Sequence, residues 1–178
     1  MLLVPRLLIT FFIVFFPQSE PERISWQESP KLTWNDFKGM PEPLADYVAS
    51  TNSGISFSFS YSEKKGKIDM DYSVTCNFYP ETSWYKKGEV SDYTLKHEQT
   101  HFDISELHAR KLRKEISAAH FSKNIKKEIE ALYHKIEKDR REMQTLFDKE
   151  SNHSKNHDKE NQWEVFVARQ LKTYEPYK

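Results

Sequence analysis

Ile55-Ser56-Phe57-Ser58-Phe59-Ser60-Tyr61-Ser62 sets an apolar residue and a serine in strict alternation. Successive side chains of an extended strand point to opposite faces, so this run writes one dry and one wet face onto a single strand. After Glu63-Lys64-Lys65-Gly66-Lys67 the alternation resumes. Ile68, Met70, Tyr72, Val74, Cys76 and Phe78 fall on one side, and Asp69, Asp71, Ser73, Thr75 and Asn77 on the other. Two such runs joined by a short glycine-containing loop predict an antiparallel hairpin. Shorter pieces at Ile24-Ser25-Trp26 and Leu32-Thr33-Trp34 are expected to add edge strands, and Pro41 and Pro43 mark a loop.

From about Asp92 the period lengthens to that of helices. The spacing predicts a first helix over 92–120 and a second over 124–149, with Ile125, Ile129, Leu132, Tyr133, Ile136, Met143, Leu146 and Phe147 on one stripe. A third, over 158–173, carries Trp163, Phe166, Val167 and Leu171, with Tyr174 just beyond. The charged stretch 135–142 is the solvated back of the second helix. Strands followed by helices give an α+β class: an N-terminal antiparallel β-sheet or hairpin, then a three-helix C-terminal part.

The first helix carries His97-Glu98-Gln99-Thr100-His101. Residues four apart stand one turn above another, so both imidazoles can reach one metal ion, with Glu98 beside it to polarise a bound water. Extending their stripe gives Ile104, His108 and Leu112, all within about 60° at 100° per residue, so the histidines face inward. A catalytic zinc needs a third protein ligand and an open position for water. Asp103 and Glu106 lie too far round the helix, and His108 stands about 10 Å along it, as a polar core or supporting residue.

If the first two helices form an antiparallel hairpin turning near Ser122, His101 is level with about Met143 and His97 with about Phe147. The following stretch then passes the metal end. It offers His153 as third ligand, Asp148 as the partner that orients an imidazole, and Glu150 as a reserve ligand. Tyr85, Lys86 and Lys87 are the candidate donors to an oxyanion. The strand at 55–61 or 68–78 offers an edge on which an extended substrate pairs.

Lys plus Arg and Asp plus Glu both number 27, which leaves no field to attract nucleic acid. Aromatic residues make up 14% of the chain, which argues for a folded core despite a charged surface. The N-terminus differs in kind: residues 7–16 are an apolar block of signal-peptide length, so residues 1–19 read as a signal peptide or signal anchor. Export follows, with membrane attachment only through an uncleaved segment. Cys76 is the single cysteine, sits at an apolar position and is assigned no role, and no disulfide is available. His120, His134 and His157 read as surface residues.

Several stretches together resemble one bacterial family, that of predicted secreted zinc-dependent proteases, catalogued as a domain of unknown function. They are Leu32-Thr-Trp-Asn-Asp-Phe-Lys-Gly39, Thr51-Asn-Ser-Gly-Ile55, Ser83-Trp84-Tyr-Lys-Lys, Leu95-Lys-His-Glu-Gln-Thr-His-Phe-Asp-Ile104, Glu106-Leu-His-Ala-Arg-Lys-Leu-Arg113, Phe147-Asp-Lys-Glu-Ser-Asn-His-Ser154 and Gln162-Trp163. The resemblance spans about residues 24–175, a single zincin-like domain. It implies export, with His97, Glu98 and His101 as the zinc motif. The family's Y-D-x-x-T-x-H-G block falls on Phe147, Asp148, Ser151, His153 and Ser154, with Phe for Tyr, Ser for Thr and Ser for Gly. His153 is kept, whereas Phe147 cannot supply a hydroxyl.

The expectation is an exported zinc metallopeptidase acting on peptide or protein substrates, cell-wall peptides among them, with Glu98 as general base. The rival is a non-catalytic envelope protein that uses the same fold to bind metal or a partner.

Overall fold

The computed structural model describes residues 21–178; the expected signal segment, residues 1–19, lies outside them. The strands are β1 (Ile24–Ser25), β2 (Ala49–Ser50), β3 (Ser53–Lys64), β4 (Lys67–Phe78) and β5 (Trp84–Tyr85). They are followed by helices α1 (Asp92–Ala118), α2 (Ile125–Ser151) and α3 (His157–Thr173), an α+β arrangement.

β3 and β4 form the antiparallel hairpin, with Ile55 opposite Cys76, Phe57 opposite Val74 and Tyr61 opposite Met70. Its loop is tighter than the five-residue linker read from the sequence. Pairing runs through Lys64 and Lys67, leaving Lys65 and Gly66, both left-handed at φ 51° and 75°. Two consecutive positive-φ residues make the hairpin turn whose twist matches that of the strands, so pairing continues past the charged residues. β1 pairs with β4 on its other side, giving the order β1-β4-β3.

The stretch Leu32-Thr33-Trp34 is not a strand. Trp34–Asp36 forms a single 3-10 turn, and the Asp36 carboxylate accepts from the Thr33 backbone N–H at 2.7 Å and hydroxyl at 2.9 Å. Such local side-chain bonds offer the backbone an alternative to a strand. Leu32 is buried nonetheless. β2 and β5 pair as a second small sheet, two residues each and too short to show an alternation.

α1 is the central element. Ser91 caps it by accepting from the Thr94 N–H, and the hairpin packs on one side while α2 and α3 pack on the others. The main core joins Ile55, Val74, Cys76 and Phe78 from the hairpin to Phe102, Leu112 and Ile116 of α1 and Ile129 and Ile136 of α2. A second cluster, Ile104, Phe147, Trp163 and Val167, lies among the three helices. Each such fully buried side chain contributes roughly 1.5–3 kcal/mol. Leu146 and Phe166 are about 40% exposed (44% and 42%), though both belong to the expected stripes. Each stands 100° round from a fully inward neighbour, Phe147 and Val167, and so falls at the margin of its face.

α2 ends in an unusual turn. Asn152, His153 and Ser154 are all left-handed, at φ 51°, 48° and 64°. The Asn156 N–H to Ser151 carbonyl bond at 2.7 Å closes this turn and sends α3 back against α1.

Candidate metal centre

The antiparallel α1–α2 pair brings His101 level with Gln144 and His97 level with Asp148, one residue from the register read in the sequence. The two Nε2 atoms lie 3.2 Å apart, and Asp148 Oδ1 stands 3.2 Å from that of His97 and 2.9 Å from that of His101. His97, His101 and Asp148 thus form a compact group able to hold a metal ion.

The far sides of both rings are fixed. His97 Nδ1 meets the carboxylate of Glu160, on α3, at 3.2 and 3.0 Å. His101 Nδ1 meets Gln144 Oε1 at 3.1 Å, while the Gln144 amide nitrogen donates to Ser105 Oγ at 3.0 Å and orients the group. Phe147 stacks on His97 with centroids 4.5 Å apart and meets His101 edge-on at 5.0 Å.

Glu160 and Gln144 Oε1 accept, so each Nδ1 carries a proton, and in a neutral ring Nε2 is then a bare lone pair. With both rings neutral, two lone pairs and a carboxylate oxygen converge, and this imidazole-imidazole-carboxylate donor set is able to hold a divalent metal. Without metal the site draws in a proton instead. Burial opposes charge on His97, yet Asp148, Glu160 and Glu98 together raise its pKa from 6.5 to about 9. Burial likewise opposes charge on Asp148, but the His101 and His97 contacts hold its carboxyl well below the usual range.

Glu98, one residue round the helix from His97, is buried, and its Oε2 has no hydrogen-bond partner among the described residues. It lines a cavity of about 190 Å³ with the trio, Gln144, His153 and the wall formed by residues 47–51. A buried carboxylate oxygen left without a partner is costly unless something enters the cavity to use it.

The residues singled out in the sequence divide as follows. The third place in the trio belongs to Asp148, which the sequence cast as an orienting partner; α2 runs on to Ser151, so this side chain still faces α1. Orientation comes from Glu160 and Gln144 instead. His153, expected as third ligand, is outside that trio but beside it: the left-handed turn sets it at the cavity rim, with its Nδ1 3.6 Å from Asp148 Oδ1. Glu150, the expected reserve, turns away and accepts from Trp163 Nε1 at 2.9 Å.

Tyr85, Lys86 and Lys87 do not line the cavity: Tyr85 packs on Trp34 and Phe37, and Lys86 Nζ donates to the Ala45 carbonyl at 2.7 Å. Residues 55–61 and 68–78 are also absent from its walls, and the strand beside the trio is β2. His108 is a core residue, its Nδ1 donating to the Ile104 carbonyl at 2.9 Å. Asp103 and Glu106 stay outside the site, the first accepting from Trp26 Nε1 and the second paired with Arg110.

Glu160, Gln144 and Tyr47 were missed. For Glu160 a signal existed, since it stands three residues before Trp163 and seven before Val167, at an inward position of α3. Tyr47, in the irregular chain before β2, carries no periodicity.

Residues 41–154 match the family described as bacterial protein of unknown function (DUF922), which spans the histidine pair, Asp148 and His153 but stops short of α3. No curated protein and no solved structure matches the chain. This stretch is well over half of the sequence, and the chain belongs to that family.

Proposed function

We propose that this family member is an exported zinc-dependent hydrolase cleaving amide bonds in peptides or proteins, with His97, His101 and Asp148 as the ligands. The observation that carries the reading is the Glu98 carboxylate, buried beside the trio with Oε2 unpartnered. A purely structural site needs no such group and closes four ligands around its metal. Zinc, when bound, lowers the pKa of a water toward 7 and polarises a carbonyl.

The remaining work falls to the chain. Glu98 accepts the proton of the water as its oxygen bonds to the carbonyl carbon, then returns that proton to the departing amine nitrogen as the C–N bond breaks. Glu160 and Gln144 keep both Nε2 lone pairs aimed inward. The cavity holds only the reacting group, so the rest of a peptide lies across its rim. Export rests on the apolar block 7–16, and an envelope setting makes cell-wall peptides a natural substrate class.

The test compares wild type with Glu98→Gln for zinc content and for cleavage of unfolded casein and peptidoglycan peptides. Equal zinc with activity lost in the variant is expected. A wild type that binds zinc yet cleaves neither substrate supports the non-catalytic, partner-binding alternative.

A further inference from the structure

Three stretches line the cavity. α1 supplies Thr94, His97, Glu98 and His101, α2 and the turn after it supply Gln144, Asp148, His153 and Ser154, and the chain through β2 supplies residues 47–51. Of the hydroxyls on residues 47–51, Thr51 Oγ1 is already engaged with the Glu98 carbonyl at 3.2 Å. Tyr47 makes no hydrogen bond among the described residues, yet its ring is held by two others. Trp84 stacks on it at 5.5 Å and 21°, and His153 at 5.6 Å and 20°. Trp84 is itself buried, so the column has a fixed base.

The upper member of the column explains the turn after α2. Three consecutive left-handed residues without a glycine are unfavourable for L-amino acids. Here they place the His153 ring on Tyr47 at the cavity rim. Phe147, where the resembling pattern has tyrosine, is wholly buried under the imidazoles and is not part of the cavity wall.

We propose that Tyr47 supplies the hydroxyl that stabilises the oxyanion formed during amide cleavage, held in place by the Trp84–Tyr47–His153 stack. The inference deepens the hydrolase reading and rests on it. As the water oxygen bonds to the carbonyl carbon, the C=O π pair moves onto the carbonyl oxygen. Tyr47 donates a hydrogen bond to that oxygen and keeps its own proton, while Glu98 takes the proton of the water. When the C–N bond breaks, the pair returns to form C=O and the Tyr47 bond weakens. A donor strongest at the moment of charge development is what accelerates the step. Burial, then Glu42, Asp46, Asp148 and Glu98, raise the Tyr47 pKa, which keeps the phenol a donor.

The test uses Tyr47→Phe, which retains the stacking ring. Inorganic phosphate, a tetrahedral oxyanion, is titrated into the cobalt(II)-loaded protein and followed by visible absorption. Zinc-loaded protein is assayed on casein and peptidoglycan peptides. Cobalt affinity is expected to stay within about twofold and phosphate affinity to fall about tenfold. Turnover falls about a hundredfold at similar KM. Unchanged phosphate affinity and turnover in an active protein overturn this inference and leave the hydrolase reading standing. So does a loss seen in Ser50→Ala but not in Tyr47→Phe. A wild type that cleaves neither substrate overturns both.

Discussion

Two buried polar clusters sit on the same face-to-face packed helix, about two turns apart, and they are finished to different degrees. In the second, Arg110 donates to Glu106 at 2.9 Å, to the Leu171 carbonyl at 2.7 Å and to Glu175 at 2.9 Å. Arg113 adds bonds to Glu106, to the Val74 carbonyl and to the Tyr177 carbonyl. Its cations and anions answer one another, tying the C-terminal turn to α1. In the first, three carboxylates (Glu98, Asp148 and Glu160) surround two imidazoles, and Glu98 Oε2 has no partner among the described residues. The central pairs, His97 with Glu160 and Arg110 with Glu106, are alike in burial. A satisfied network holds a fold together, whereas one short of positive charge marks where a ligand belongs.

That contrast predicts separable damage. His101→Ala removes one of the three proposed ligands, and sharing a typical structural-zinc affinity of 10–16 kcal/mol among them gives a loss of about 4 kcal/mol, roughly a thousandfold. Competition with a chromophoric chelator reads it, separately from the stability cost of emptying a buried ring site, which unfolding of the metal-free protein reads. Arg110→Ala does the reverse. It leaves Glu106 buried with a poorer partner and costs about 3–5 kcal/mol of stability in urea unfolding, with metal affinity of the folded protein unchanged. A metal affinity that falls with Arg110 would break the distinction.

The legible parts of the molecule were those with a period. The hairpin alternates every two residues from Ile55 to Phe78, and its pairing follows that alternation through Ile55 opposite Cys76. The one-turn spacing of His97 and His101 fixed two members of the trio, and antiparallel helix geometry placed their opposite numbers on α2 within one residue. What was illegible depends on a single dihedral or on chain without repeat. Whether Asp148 or His153 enters the trio turns on where α2 ends and on the left-handed run that follows it. Residues 47–51 reach the cavity through a two-residue strand that no pattern announces.

His108, buried on the same helix, gives the fold its own dependence on pH. It is 1% exposed, and burial, with Lys111 nearby, depresses its pKa from 6.5 to about 4. The folded protein therefore keeps it neutral while the unfolded chain protonates near 6.5. Its contribution is whole above pH 6.5 and is lost progressively as pH falls toward 4, at about 3 kcal/mol in full. Urea midpoints of metal-free wild type and His108→Leu, measured at pH 7 and pH 4, should differ by that amount in their acid loss. Parallel losses in the two proteins would show that His108 is charged when folded.

The smallest effect is the most diagnostic, because it comes from a residue on α3, beyond the stretch 41–154 that matches the family. Glu160→Gln keeps an oxygen that can accept from His97 Nδ1 but removes the charge behind the ring. Loss of a carboxylate behind a ligating histidine weakens metal binding about ten- to hundredfold. The same carboxylate also helps raise the His97 pKa to about 9, so at pH 7 wild type must expel a tightly held proton before metal enters, and the variant less so. The two consequences oppose each other at pH 7 and no longer do so above pH 9. The affinity gap between wild type and Glu160→Gln should therefore widen as pH rises through that range in chelator-buffered titrations. A gap constant with pH would mean that Glu160 shapes the helix contact alone, as Glu106 does in the satisfied cluster, and takes no part in tuning the imidazole.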